Sequence, residues 1–314
     1  MELALLLVEQ VASMMILLAI GLVMSKSGLI KKGETGGLTS LILYVFSPCM
    51  ILQCFQIEFD PQKFKGWLFI TGFALATHLL FIALGRFVFL RKKTERTITE
   101  RMALTYTNAG SVAMALIGST MGREAMFYCS GYLLTFNFLI WTHGIRSISG
   151  GHSKLELKRL LLNPNVLSIL VGVTLFLTNT SIPGILGDTV DTMGSMLGPL
   201  IMVNIGIIMG QDDLKVLFTS WRTYFICFLR LLVLPIILIL VFWATGASHW
   251  VENGQLLLTV LLLAASSPVG TMIAMLTQKF GNSDGVYASH LASLSSVLCI
   301  FTMPLMALLG QALL

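Results

Sequence analysis

The chain has 314 residues, of which 11% are charged and 56% are hydrophobic, and its formal net charge is +5. Soluble domains have about 25% charged residues, so this chain could not cover a water-facing surface without large apolar patches. The composition excludes a soluble enzyme, a disordered protein and a disulfide-stabilised secreted domain. It indicates an all-α integral membrane protein.

Ten apolar segments follow one another along the chain. A helix crosses the hydrocarbon core with about 20 residues, and ten such helices leave only short loops between them. The five cysteines lie inside these segments without metal-ligand spacing and are expected to be small core residues. The predicted spans are residues 3–24, 38–55, 67–90, 102–121, 125–145, 165–177, 189–209, 223–245, 255–276 and 286–309.

Lys and Arg residues are concentrated in alternate loops. Of the 20, fifteen lie in the loops after the odd-numbered spans, and three (Lys63, Lys65 and Arg123) lie in the other loops. Because basic loops stay in the cytoplasm, we expect a plasma-membrane protein with both termini outside the cytoplasm. This distribution accounts for the positive charge without a nucleic-acid partner.

The two halves of the chain have matching interruptions. With five spans per half, the second half enters the membrane inverted, as in many secondary transporters. Pro48 in span 2 corresponds to Pro199 in span 7, and the TNAGS stretch of span 4 corresponds to the SSPVG stretch of span 9. We therefore predict two inverted five-helix repeats, residues 1–145 and 164–314, joined by a cytoplasmic linker over residues 146–163.

The interruptions in spans 4 and 9 are the candidate site. Pro268 lacks a backbone N–H and clashes with the preceding turn, so span 9 should break there. Two matched breaks would cross near the midplane and turn half-helix N-termini, which attract anions, to one polar chamber. A proline kink without a ligand is the alternative. The predicted substrate-binding residues are Asn108, Gly110, Ser111, Ser266, Ser267, Pro268 and Gly270.

Other polar or helix-breaking residues within the spans are accessory candidates: Pro48, Asn137, Asn204, Arg230 and Glu9. Arg230 could pair with a loop acid or meet an anionic substrate, whereas Glu9 could lie at the membrane interface. Asn204 precedes Gly206 and Gly210, a spacing typical of close helix packing, so ligand contact is its second interpretation. A lone neutral histidine bonded to a neighbouring helix is the first interpretation of His78, and a proton relay the second.

The sequence contains no metal-ligand cluster, nucleophile–base arrangement or phosphate-binding loop. We therefore expect no catalytic residue, no metal and no cofactor, and we predict that the protein is not an enzyme. A midplane carboxylate, expected of a dedicated proton or sodium antiporter, is also missing apart from Glu9.

Three stretches carry a family resemblance. LTSLILYVFSPCMILQCF resembles a proline-bearing second helix, and TYTNAGSVAMALIG resembles an Asn-x-Gly crossover helix. The run from residue 261 to residue 306, with Pro268 and Pro304, resembles a second crossover and last helix. Together they resemble the auxin efflux carrier superfamily, whose bacterial branch includes permeases for malate, malonate and related organic anions.

The resemblance implies a scaffold of spans 1, 2, 6 and 7 and a moving part of spans 3–5 and 8–10. Substrate would bind where broken helices 4 and 9 cross, access would alternate by an elevator motion, and the scaffold would form a homodimer. After Asn-x-Gly the family often has Phe, Gly and Pro, where this chain has Ser111, Ala113 and Ala115. The substrate preference of any one member therefore does not transfer.

The leading hypothesis is a secondary transporter, or permease, of a small organic anion such as a carboxylate. The lipid bilayer, the anion and a second copy of the chain are its expected partners. A sodium-coupled symporter of bile-acid-symporter-like architecture is one alternative. A non-transporting membrane sensor module is another, and a polytopic membrane enzyme is weakened by the missing base or metal site.

Overall fold

A computed structural model describes residues 2–31, 34–89, 94–150, 161–211, 219–280 and 285–314. Within these ranges the protein is helical, and its one β-type pairing is an isolated bridge between Thr107 and Val269. The prediction of an all-α protein is confirmed for this part of the chain. The helices are α1 Glu2–Lys26, α2 Thr35–Cys54, α3 Pro61–Val88, α4 Glu95–Thr105, α5 Met114–Leu139, α6 Pro164–Leu177, α7 Gly184–Gln211, α8 Trp221–Thr245, α9 Gly254–Ala265, α10 Thr271–Phe280 and α11 Gly285–Leu313.

Five of the described helices are long and apolar enough to cross a membrane: α2, α3, α7, α8 and α11. Shorter apolar helices include α6 and α9. A helix of 20 to 30 residues is about as long as the hydrocarbon core is thick, so the chain is a multi-pass membrane protein.

The predicted start of the fourth span lies too far along the chain. We expected it to start at Met102, but α4 begins at Glu95, after Thr94 accepts a hydrogen bond from the backbone N–H of Thr97. Residues 95–101 include four charged side chains. Glu100 is nevertheless fully buried, because Arg222 donates to its two carboxylate oxygens at 2.5 and 2.8 Å. A charge that is buried with its partner does not exclude a helix.

Gly122 separates the two limbs of α5. Its φ of +82° is inside the left-handed region, which a glycine adopts without steric cost. Residues 114–121 therefore continue the broken fourth helix, and residues 123–139 form the next segment. That segment continues through Ile140–Gly144 to Ile145–Ile148.

Helices α1, α2, α6 and α7 pack together as a first group. Gly206 of α7 lies directly against the backbone oxygen of Leu18 on α1, and Gly210 lies against Ser25. A side chain at either glycine would separate the helices. The predicted packing role of these two glycines is confirmed.

The remaining helices form a second group. Helix α3 packs on α5, α9 contacts both α3 and α5, and α8, α9 and α10 pack on α11. The first limb of α5 and the π-helical turn that precedes it also contact α7. The two groups therefore meet beside the break in the fourth helix.

Candidate functional site

The fourth and ninth predicted spans are interrupted, and their interruptions are in contact. Helix α4 ends at Thr105 and the chain becomes helical again at Ala109, whereas α9 ends at Ala265 and α10 begins at Thr271. Between them the Asn108 N–H donates to the Pro268 carbonyl at 2.8 Å, and the Gly270 N–H donates to the Tyr106 carbonyl at 3.0 Å. The two extended segments thus satisfy backbone groups that no helix satisfies.

Two small residues hold this crossing together. At Gly270 a Cβ atom would lie 3.0 Å from the carbonyl oxygen of Thr107, so glycine lets the two backbones approach. Ser295 of α11 accepts a hydrogen bond from the Val269 N–H at 3.0 Å. Ser295 is fully buried, so it satisfies a backbone group that water cannot reach.

Arg230 binds the carbonyl ends of both broken helices. Its fully buried guanidinium donates to the carbonyl of Leu104 at 3.2 Å, and to those of Ala265 and Ser267 at 2.6 and 3.2 Å. The last carbonyls of a helix have no partner within the helix and carry the negative end of its dipole. Arg230 therefore neutralises two converging helix C-termini. Of the two partners expected for Arg230, a loop acid or an anionic substrate, the loop acid is not found, because its described hydrogen-bond partners are carbonyls.

A cavity of about 270 Å³ lies beside the crossing, between the two helix groups. Six predicted residues line it: Asn108, Gly110, Ser111, Asn137, Asn204 and Gly270. Sequence reasoning missed further polar lining residues, which include Thr39, Ser47, Trp141, Asn165 and Thr271. No Asp, Glu, Lys, Arg or His is among the described lining residues.

Several polar groups of the cavity are held by hydrogen bonds. Ser111 donates to the Asn108 side chain, and Ser47 of α2 donates to Asn165 of α6 at 3.1 Å. The amide of Asn204 donates to Thr39 at 3.3 Å, but its oxygen has no partner among the described residues. The indole N–H of Trp141 is also buried without a partner there. Both atoms are buried behind the cavity surface, so neither is directly exposed to a ligand there.

The structure places the other predicted residues outside this lining. The buried hydroxyls of Ser266 and Ser267 donate to carbonyls of their own helix, Leu262 at 2.6 Å and Leu263 at 3.2 Å. Pro268 takes part through its carbonyl. Glu9 is exposed on α1, and neither Pro48 nor Arg230 lines the cavity.

Four π-helical turns surround the crossing. Residues of Ile42–Phe46, Ala109–Ala113 and Ile140–Gly144 line the cavity, and Leu229–Val233 contains Arg230. The turn in α2 lies one turn before Pro48, which cannot donate to the carbonyl four residues back. Such turns are frequent at functional sites.

A second cavity, of about 340 Å³, lies between the same two helix groups. Its lining includes Gln10 and Met14 of α1, Met50 and Gln53 of α2, and Ser119 of α5. No residue lines both cavities. The groups therefore enclose two separate chambers in the described part of the chain.

A protein-family model described as membrane transport protein matches residues 6–307 of the chain. The match covers nearly the whole sequence, including both helix breaks. No curated protein matches the chain significantly.

Proposed function

We propose a specific transport function for this chain, which belongs to the family of membrane transport proteins of the auxin efflux carrier type. Members of this family are transporters, so transport across a membrane is the general function. The specific proposal is a secondary transporter of a small organic anion, such as a carboxylate.

The arrangement of the helix ends at the crossing carries the proposal. Helical structure restarts at Ala109 and at Thr271, and Gly110 and Thr271 both line the cavity. The first N–H groups of each half-helix are free for a ligand, and each N-terminus is equivalent to roughly half a positive charge. Because Arg230 neutralises the opposing carbonyl ends, the cavity favours an anion although no charged side chain lines it.

The division into two helix groups supports an elevator mechanism. Helices α1, α2, α6 and α7 correspond to the expected scaffold, and the crossing belongs to the other group. Two separate cavities between the groups are compatible with alternating access, in which the site opens to one side of the membrane at a time. Under the basic-loop orientation, the cavity beside Asn108 faces the cytoplasm, both termini lie outside it, and the plasma membrane is the proposed location.

The same proposal includes the inverted repeats, residues 1–145 and 164–314, and a homodimer through the scaffold. The matched positions of the two breaks and their antiparallel contact support an inverted pair. Ligand-binding backbone at such breaks is a recurring construction in secondary transporters.

The test is uptake and efflux of dicarboxylates and aromatic carboxylates in proteoliposomes of purified protein. Asn108→Leu should abolish flux while the protein remains folded by thermal melting. Exposed His249→Gln is the control and should transport like the wild type. Full flux through Asn108→Leu would remove the proposed site, and saturable binding without any flux would favour the sensor module.

A further inference from the structure

His143 occupies a position that the transport proposal does not use. It lies in the π-helical turn Ile140–Gly144, two residues after the cavity-lining Trp141, and is half-buried. Its Nδ1 atom is 2.9 Å from the hydroxyl of Tyr106, and its Nε2 atom is 3.3 Å from the hydroxyl of Ser147. Both ring nitrogens therefore have hydroxyl partners.

His143 can gain a proton while its hydrogen-bond partners keep their positions. The Tyr106 hydroxyl also donates to the Leu139 carbonyl at 2.9 Å, so it uses its one hydrogen there and can accept from Nδ1–H. Neutral His143 with a proton on Nδ1 takes a hydrogen bond from Ser147 at Nε2. When Nε2 gains a proton, it donates to the same oxygen, and only the Ser147 hydroxyl rotates.

Tyr106 connects this histidine to the helix crossing. Its hydroxyl meets His143, its carbonyl accepts the Gly270 N–H at 3.0 Å, and the next residue, Thr107, lines the cavity. Tyr106 is fully buried, so these contacts are held in one geometry. A charge on His143 is thus linked through one residue to the site that the anion would occupy.

The ionisable groups around His143 oppose its charge. The Arg86 guanidinium of α3 repels a positive imidazole, and Arg146 is an exposed cation on the same helix. On α4, Glu100 is occupied by Arg222, and Arg101 donates to the Phe89 carbonyl at 2.6 Å. The described side chains of α10, residues 271–277, include no ionisable group. Of the two carboxylates on α4, Glu100 is buried with its partner and Glu95 is exposed at the start of the helix.

We propose that His143 is the binding site of a coupling proton, which the protein carries together with its anion. This inference rests on the proposed transport function. An anion in the cavity supplies a negative charge that stabilises the protonated imidazole of His143. Binding of the anion and binding of the proton therefore favour each other. Histidine is the side chain whose ordinary titration range covers physiological pH. Because the proton crosses together with the anion, the net charge that crosses the membrane is less negative by one.

The test uses proteoliposomes with the membrane potential clamped at zero and the outside one pH unit more acidic than the inside. We expect the wild type to accumulate labelled malonate up to about tenfold, the limit for one proton per malonate. His143→Gln should reach equilibrium only, while still exchanging internal for external malonate. The exposed His249→Gln is the matched control and should accumulate like the wild type.

Equal accumulation by His143→Gln and wild type would overturn the inference, as would wild-type accumulation that ignores the pH gradient. A wild type that moves no malonate at all would instead count against the transport function. In that case titration of the purified protein decides: the NMR signal that His143→Gln removes should titrate between about pH 5 and 8. A His143 signal that is constant over this range overturns the proton site independently of flux.

Discussion

The backbone N–H of Gly270 donates to the carbonyl oxygen of Tyr106 at 3.0 Å, and this bond joins two interrupted helices that are far apart in the sequence. The reciprocal bond, from the Asn108 N–H to the Pro268 carbonyl, makes a two-residue antiparallel pairing. Non-helical backbone within a membrane protein is tolerated where protein or a watery cavity covers it. Here each break covers the other.

Gly270→Ala should destabilise this pairing. Its new methyl group would lie 3.0 Å from the Thr107 oxygen, closer than ordinary contact, so the backbones must separate. We expect a loss of about 1–3 kcal/mol in the free energy of unfolding, as for other overpacked sites. Gly110→Ala is the matched control, because its methyl group would meet only the Leu133 side chain at 3.4 Å. Thermal unfolding in detergent measures both, and equal melting temperatures would contradict the close approach at Gly270.

Ser295→Ala should also loosen the crossing. It leaves the buried Val269 N–H without its acceptor at 3.0 Å, which costs about 1–3 kcal/mol of stability. The neighbouring Ser296→Ala removes only a hydroxyl that donates to Ala292 within its own helix. Chemical unfolding monitored by tryptophan fluorescence should separate the two variants. If Ser296→Ala were the more damaging, Ser295 would not hold the ninth helix break.

The positions of the breaks were predictable, but the orientations of their side chains were not. Pro268 marks the second break because a proline cannot donate within a helix. A serine pair beside it, by contrast, has the same sequence signature whether the hydroxyls face a cavity or return to carbonyls of their own helix, as those of Ser266 and Ser267 do. Only the rotation of α9 decides between these outcomes.

Contacts with residues that are distant in the sequence explain the other differences between the predictions and the structure. The depth of Arg230 could be inferred from its position in the span, but its partners belong to Leu104 and to the end of α9, which no local pattern connects to it. Asn165 was taken as the edge of a span, and no local pattern shows that it faces Ser47 of α2. The early start of α4 was hidden because Glu100 is paired with Arg222 from a distant helix.

Arg230→Met should be the most destabilising of these single changes. It removes the donor to three buried carbonyls, and each unpaired buried group costs about 1–3 kcal/mol. Arg230→Lys should recover part of the loss, because an ammonium keeps the charge but not the planar fork. Exposed Arg86→Met should change stability by less than about 0.5 kcal/mol. Melting curves in one detergent compare them, and a well-folded Arg230→Met would show that the carbonyl ends need no cation.

Two serines at the crossing should differ in their effect on transport. Ser111 lines the cavity and orients Asn108, so Ser111→Ala should raise the KM for malonate about fivefold, the equivalent of one hydrogen bond. Ser266→Ala should leave KM unchanged, because the Ser266 hydroxyl is buried against Leu262. Initial rates of uptake give both values. A larger effect at Ser266 would move the binding site away from the cavity beside Asn108.

The central claim is that the two helix groups move past each other with the crossing as part of one group, and a disulfide tests it directly. A Cβ built at Gly198 of α7 lies 3.0 Å from the Cβ of Ala115 on α5, so a separation of only about 0.5 Å reaches the ~3.5–4.5 Å between the Cβ atoms of a disulfide. In a cysteine-free background, oxidised Ala115→Cys/Gly198→Cys should lose malonate transport and regain it on reduction. Each single variant, Ala115→Cys or Gly198→Cys, cannot form this bond and should keep transport under the same oxidation. Undiminished transport through fully oxidised Ala115→Cys/Gly198→Cys would contradict the account.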